Sequence, residues 1–345
     1  MGLREEIFEQ PGILRNWLDT QLGNVDQIAH AIRERQIDYV FLAARGTSDH
    51  AGVYAQYLWG SLNRLPVALA APSLFTKYAE SPRLRNALVV GLSQSGESPD
   101  IVSVLAEGRQ QGALTLAVTN AIQSPLAQAA EFTIDLQAGI EKAVAATKTY
   151  TAELMAVAAL AAALSGDREH LAALRRMPDA VEQALAQDEA AGEIAARCHG
   201  LTQCVVLGRG YDYATALEWA LKLKELAYVF ADAYSAADFQ HGPIALAAPG
   251  FPIFAVATHG AMLADMLALL RRLRNENEAE LLVVSDSAEA IALAQSALRL
   301  PADIPEWLSP LVSIVPAQLF CYHLTVAKGY DPEAPRGLRK VTLTR

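Results

Sequence analysis

With 345 residues, 52% of them apolar and 19% charged, the chain has material for one large domain or two of ordinary size, and its balance excludes a disordered or fibrous protein. A formal charge of -10 without any Lys/Arg cluster argues against a nucleic-acid surface. Cys198, Cys204 and Cys321 form no CxxC pair, which suggests neither zinc nor a disulfide framework and fits a reducing compartment.

The chain opens with MGLREEIFEQPG, which carries acids where a signal peptide needs an apolar core. Its first thirty-odd residues are expected to be helical and packed on the core. Continuous branched-apolar runs predict strands over 38–46 (DYVFLAARG), 87–96 (ALVVGLSQSG) and 114–120 (LTLAVTN). Between them, apolar residues at three- and four-residue steps predict helices over 48–62 and 98–112. The longest apolar stretch, 154–164, is too short to span a bilayer, so a cytoplasmic location is expected.

After a polar, helix-rich connection containing Pro178, the plan recurs. Strands are predicted over 203–210, 252–260 and 279–286, and helices over 213–230 and 261–275. The run Arg271, Arg272, Arg274, cut by Glu276 and Glu278, reads as a solvated helix face. The spacing from Gly46 to Gly96 (96 − 46 = 50) equals that from Gly210 to Gly260 (260 − 210 = 50). The expected class is therefore α/β, two tandem doubly wound units with parallel sheets flanked by helices. The expected boundaries are 1–165, a helical connection over 166–194, and 195–345.

Ligands of open parallel sheets sit at the carboxyl ends of the strands. Ser93, Gln94, Ser95 and Gly96 form such a turn, with Ser98 and Pro99 as N-cap and first helical position. Gly96 lets the backbone approach a ligand, and exposed amides favour an anion. Hydroxyls without a Lys suit a sugar phosphate better than a nucleoside triphosphate, although Ser98 as a simple cap and the other serines as turn fillers is an equal reading. RGTSD (45–49) is a second loop of the same kind. GRGYDYA (208–214) lacks the third glycine of a dinucleotide fingerprint, so no nicotinamide cofactor is expected.

Glu218, Lys222 and Glu225 fall at helical steps of four and three amid Ala and Leu, placing acid, base and acid on one face that points into a cleft rather than into bulk water. A carboxylate held there beside a cation can move a proton. His241, in QHGP, is a turn histidine and a catalytic candidate, whereas His323 reads as a packed or hydrogen-bonded core residue. The histidines show no metal spacing, and no metal or cofactor is expected.

With RGTSD, SQSGESPD (93–100), VAATK (144–148), ALEWALKLKELAY (216–228), QHGPIAL (240–246) and YHLTVAKGYDPEAPRGLRKVT (322–342) in order, the chain resembles the sugar isomerase (SIS) domain family. Within it, the resemblance is to the isomerase half of glucosamine-6-phosphate synthase and to stand-alone isomerising glucosamine-6-phosphate deaminases. It implies that Ser48, Ser93, Gln94, Ser95 and Ser98 hold the substrate phosphate and nearby hydroxyls, and that Val144 and Ala145 line the sugar pocket. It further implies that Glu225 moves a proton between C1 and C2 with Lys222 beside it. His241 would open the ring, reaching in from the neighbouring subunit of a homodimer, and Lys340 would contact the sugar carbonyl.

No cysteine stands near Met1 to serve a glutaminase, and SPD (98–100) and APS (71–73) are similar to the stand-alone deaminases. The expected activity is therefore conversion of glucosamine 6-phosphate to fructose 6-phosphate with release of ammonia. The alternatives are a related amino-sugar phosphate deaminase, a fructosamine-6-phosphate deglycase, and a non-catalytic phosphosugar-binding regulator.

Overall fold

A computed structural model describes residues 2–78 and 80–340, so 341–345, the end of the expected second unit and of the motif at 322–342, lie outside the described residues. It contains two five-stranded sheets, and each is wholly parallel. The first comprises β1 (Tyr39–Ala43), β2 (Val67–Leu69), β3 (Ala87–Leu92), β4 (Leu114–Thr119) and β5 (Phe132–Asp135), in the order β2-β1-β3-β4-β5. The second comprises β6 (Gln203–Gly208), β7 (Phe230–Ser235), β8 (Pro252–Val256), β9 (Glu280–Ser285) and β10 (Ser296–Arg299), in the order β10-β9-β8-β6-β7. Read from its other edge, the second order repeats the first. The two tandem α/β units expected from the fifty-residue echo are present.

All six expected strands are the inner strands of these sheets, and the four edge strands β2, β5, β7 and β10 went unseen. The physical reason is burial. β3 and β4 are buried at every residue, as strands covered on both faces must be, and so read as continuous apolar runs. The edges are short or half-exposed and lack that signature. The helix expected to reach 230 stops at Ala227, because Tyr228 turns left-handed (φ 54°) and the chain enters β7.

The chain divides into two compact units. The first-sheet unit holds Gly12–Glu141, Lys148–Arg176 and the tail from Arg339; the second-sheet unit holds the N-terminal residues to Pro11, Lys142–Thr147 and Met177–Leu338. The two short segments join the second-sheet unit for identifiable reasons. Glu6, fully buried, accepts hydrogen bonds from the amides of Lys142 (2.5 Å) and Ala143 (3.2 Å), and Gln10 Nε2 donates to Gln318 Oε1 (3.0 Å). The expected N-terminal helix is Leu3–Glu34, and in the first-sheet unit Trp17 Nε1 donates to the Asp135 carbonyl (2.8 Å).

Each unit is built around a helix that is apolar on all sides. In the first-sheet unit this is Lys148–Ser165, on which Thr47–Asn63 packs, with Trp59 Nε1 donating to the Val157 carbonyl (3.1 Å). In the second-sheet unit it is Ser309–Ala327, where Phe320 meets Trp219 and Phe254 edge-on. Residues 154–164 are therefore not the longest apolar element. Ser313, Pro316, Gln318 and His323 interrupt the written run, yet Glu306–Ala327 has a mean hydropathy of 1.4 over its most apolar window, long and apolar enough to cross a membrane by those criteria alone. That window is 78% buried, as suits a core helix. His323 is part-buried and its Nε2 lies 2.7 Å from Asp188 Oδ1. Arg271, Arg272 and Arg274 face solvent, and the first two pair with Glu289 and Glu276.

At the carboxyl ends of β6 and β8, the buried Asp212 accepts from Thr258 Oγ1 (2.5 Å), Ser309 Oγ (2.8 Å) and Ser313 Oγ (3.2 Å). Burial pushes its carboxyl up to about 6, against the downward pull of the three hydroxyls. The folded state thus holds this proton at a higher pH than the unfolded chain does. Its ionisation costs stability as pH rises from about 4 to 6, and the cost is absent below that window. Asp212→Asn is expected to flatten the profile there, with the stability difference from wild type changing by on the order of 2–3 kcal/mol between pH 4 and 7. Urea denaturation across that range measures it.

Candidate active site

In the first-sheet unit, β1 and β3 pair directly, so the loops leaving their carboxyl ends are neighbours. Arg45, after β1, ties them from outside through an ion pair with Asp100 (2.9 Å), whose side chain is 3% exposed. After β3, Ser93 Oγ accepts the Gly96 amide (3.2 Å) and Ser95 Oγ accepts the Glu97 amide (3.3 Å). Ser98 occupies the N-cap position of Pro99–Gln110, but its side chain makes no capping hydrogen bond. The expected capping role is corrected: Pro99 starts this helix without an N–H to satisfy, and the Ser98 hydroxyl is not used there.

Gly96 also needs a different explanation. Its φ is +63°, and an added Cβ would lie 2.0 Å from Ser124 Oγ, the residue that caps Pro125–Ala129. Close packing against Ser124 inside the loop cluster by itself requires a glycine here. Gly46 (φ +56°) has nothing within 4 Å of an added Cβ. Gly96→Ala is expected to cost about 2–4 kcal/mol, combining left-handed strain with the clash, and Gly46→Ala about 1–2 kcal/mol from strain alone. Equal losses in chemical denaturation would contradict this account.

The residue that joins these loops was not anticipated. Glu153 lies in Lys148–Ser165 with its side chain fully buried; its Oε1 accepts from Ser48 Oγ (2.6 Å) and its Oε2 from Gln94 Nε2 (3.4 Å). A carboxylate alone in TAELMAVAALAAAL was the available signal. Glu141 has a similar position in the same unit. It accepts from Thr149 Oγ1 (2.8 Å), and its Oε2 holds the Lys340 ammonium at 2.5 Å. Glu141 is 2% exposed and Lys340 35%.

In the second-sheet unit, Glu218, Lys222 and Glu225 share one face of Asp212–Ala227. Lys222 Nζ lies 3.3 Å from Glu218 Oε1 and bonds Glu225 Oε2. Lys222 and Glu218 are 1% and 0% exposed, whereas Glu225 retains 24%. An exposed surface ion pair is excluded. Burial alone would lower the Lys222 ammonium, but the two carboxylates outweigh it and hold it above the usual lysine range. Glu225 is thus the accessible end of an otherwise sealed network.

Val144, part-buried, and Ala145, buried, lie in the segment that Glu6 holds. His241 sits exposed in a turn between Ala236–Phe239 and Pro243–Leu246, where Gly242 has φ +133°. Its ring forms no hydrogen bond or ion pair with Lys222 or Glu225. A further contact, also missed, anchors the chain leading to the tail: Tyr228 Oη accepts the Arg336 amide (2.7 Å), and the Arg336 guanidinium lies 4.3 Å from the Tyr228 ring centre. A cavity of about 320 Å³, lined by Arg197, Cys198, Phe254 and Glu280 among others, opens at the amino ends of the second sheet's strands and contains none of the expected residues. Among the described residues, no group of three or more His, Cys, Asp or Glu is placed to hold a metal.

The repeated fold agrees with comparisons to known proteins. The SIS domain model matches residues 35–163 and 202–328. The chain belongs to the SIS domain family. It is similar to glutamine--fructose-6-phosphate aminotransferase [isomerizing] of Thermus thermophilus, at 35% identity over 97% of this chain and 58% of that protein. The chain thus spans little more than half the length of such curated relatives. Among solved structures, a candidate phosphosugar isomerase of Silicibacter pomeroyi matches with a TM-score of 0.87 at 32% identity, covering 96% of this chain and all of that one. The C-terminal domain of glucosamine-fructose-6-phosphate aminotransferase from Francisella tularensis matches with a TM-score of 0.88 at 27% identity, over 96% and 98% of the two chains.

Proposed function

We propose that this SIS protein is a phosphosugar aldose-ketose isomerase that converts glucosamine 6-phosphate to fructose 6-phosphate with release of ammonia. The observation that carries the reading is the Glu218–Lys222–Glu225 network, which leaves one carboxylate accessible and fixes it with a buried cation. Such a group suits proton transfer at a carbon beside a carbonyl or imine. Glu225 takes the C2 proton and delivers it to C1, with Lys222 orienting the carboxylate; water then hydrolyses the resulting C2 imine and ammonia leaves. His241 serves ring opening, Lys340 the sugar carbonyl, and Val144 and Ala145 the sugar pocket.

Ser48, Ser93, Gln94, Ser95 and Ser98 hold the phosphate and neighbouring hydroxyls, and anchoring that remote group positions the reacting carbons. The exposed His241, whose ring makes no hydrogen bond or ion pair among the described residues, supports a homodimer in which it serves the partner's site. A cytoplasmic location suits the burial of Glu306–Ala327. The relatives named for fructose-6-phosphate amination support the substrate class.

The test is a panel of glucosamine 6-phosphate, galactosamine 6-phosphate and fructosamine 6-phosphate, followed by ammonium release with no added metal or nucleotide. Ammonium and fructose 6-phosphate from the first are expected. Tight binding without ammonium from any of the three would replace the enzyme with a phosphosugar sensor.

A further inference from the structure

We propose that Glu153 is a positioning residue that makes Ser48 a hydrogen-bond acceptor and engages one N–H of Gln94, so that this edge of the loops takes a sugar hydroxyl or ammonium group rather than the phosphate. The inference rests on the functional reading above and says which of the five residues named there serve the phosphate and which the neighbouring hydroxyls. A buried carboxylate is costly unless hydrogen bonds satisfy it, and Glu153 is fully buried in an Ala/Leu-rich helix. Its 2.6 Å contact with Ser48 Oγ has the length of a hydroxyl donating to a carboxylate.

Serine has one hydroxyl proton. Having given it to Glu153, Ser48 can offer a ligand only lone pairs. One of the two Gln94 amide N–H groups points to the other Glu153 oxygen (3.4 Å), so Gln94 keeps its side-chain carbonyl as an acceptor and one N–H as a donor. Ser48 Oγ, its proton engaged by the Glu153 carboxyl, is strengthened as an acceptor and offers nothing to a second acceptor such as a phosphate oxygen. The opposite holds along the rest of the loop. Ser93 and Ser95 accept backbone amides through Oγ and Ser98 makes no capping bond; among the described residues none of the three hydroxyls donates to a protein group, so their protons can serve phosphate oxygens.

Calorimetric titration of the full chain with glucosamine 6-phosphate and, separately, with inorganic phosphate tests this. Ser48→Ala and Glu153→Gln are each expected to weaken the sugar phosphate by about tenfold or more while leaving inorganic phosphate within about twofold. The double variant should be little weaker than either single one, because Glu153 acts through Ser48. Ser48→Ala removes one hydrogen bond of Glu153 but changes no residue of the buried helix, and Ser48→Thr, which keeps the hydroxyl, is expected to retain sugar-phosphate affinity; this pair decides the matter where Glu153→Gln does not fold. Equal weakening of both ligands, or unchanged sugar-phosphate affinity, overturns the proposal alone. A wild-type chain that binds phosphate but not glucosamine 6-phosphate overturns the functional reading and the proposal together.

Discussion

Glu225→Gln is expected to lower turnover of glucosamine 6-phosphate by about 10²–10⁴-fold while leaving its binding intact. The amide preserves the shape of the side chain and can still accept from Lys222, but it cannot take a carbon-bound proton. Because Glu225 is the part-exposed member of its network, the exchange should not propagate into the core. The diagnostic readout is exchange of the C2 proton with solvent, followed by proton NMR in D₂O. Retained exchange would remove Glu225 from the role of base, whatever happened to turnover.

Lys222→Met has the largest expected effect on stability. It removes the cation between Glu218, which is fully buried, and Glu225, leaving a buried carboxylate without its counter-charge. Breaking a buried pair from one side costs about 3–5 kcal/mol, far more than the pair contributes when intact. Adding Glu218→Gln should return part of that loss, since an amide carries no charge into the core. Urea denaturation of the single and double variants measures both quantities. A loss below about 1 kcal/mol for Lys222→Met would show that water reaches this helix face in the folded protein.

The sequence revealed the inner sheet and concealed its margins for one physical reason. β1, β3, β4, β6, β8 and β9 are inner strands, buried along most of their length and therefore written in nearly uninterrupted apolar residues, whereas β2, β5, β7 and β10 are edge strands with partly exposed residues. The loops were legible as hydroxyl-rich breaks in apolar runs. The donor and acceptor roles within them were not, because these depend on partners distant in the chain. Ser48 and Glu153 are 105 positions apart, Gln94 and Glu153 59, and Glu141 and Lys340 199. Gly96 shows the same limit: composition identified a turn glycine, but only the position of Ser124 explains why a side chain is excluded there. The Glu218, Lys222, Glu225 spacing was legible because one helix carries all three residues, and there the expectation of a sheltered face holds.

The central claim is that this SIS chain moves a proton between adjacent carbons of a phosphosugar. Incubation of the wild-type protein with glucosamine 6-phosphate in D₂O, with proton and carbon NMR of sugar and product, tests it most directly. Conversion to fructose 6-phosphate with deuterium at C1 is expected, together with exchange at C2 of the remaining substrate that Glu225→Gln abolishes. A bound substrate that keeps its C2 proton and its amine throughout would contradict it.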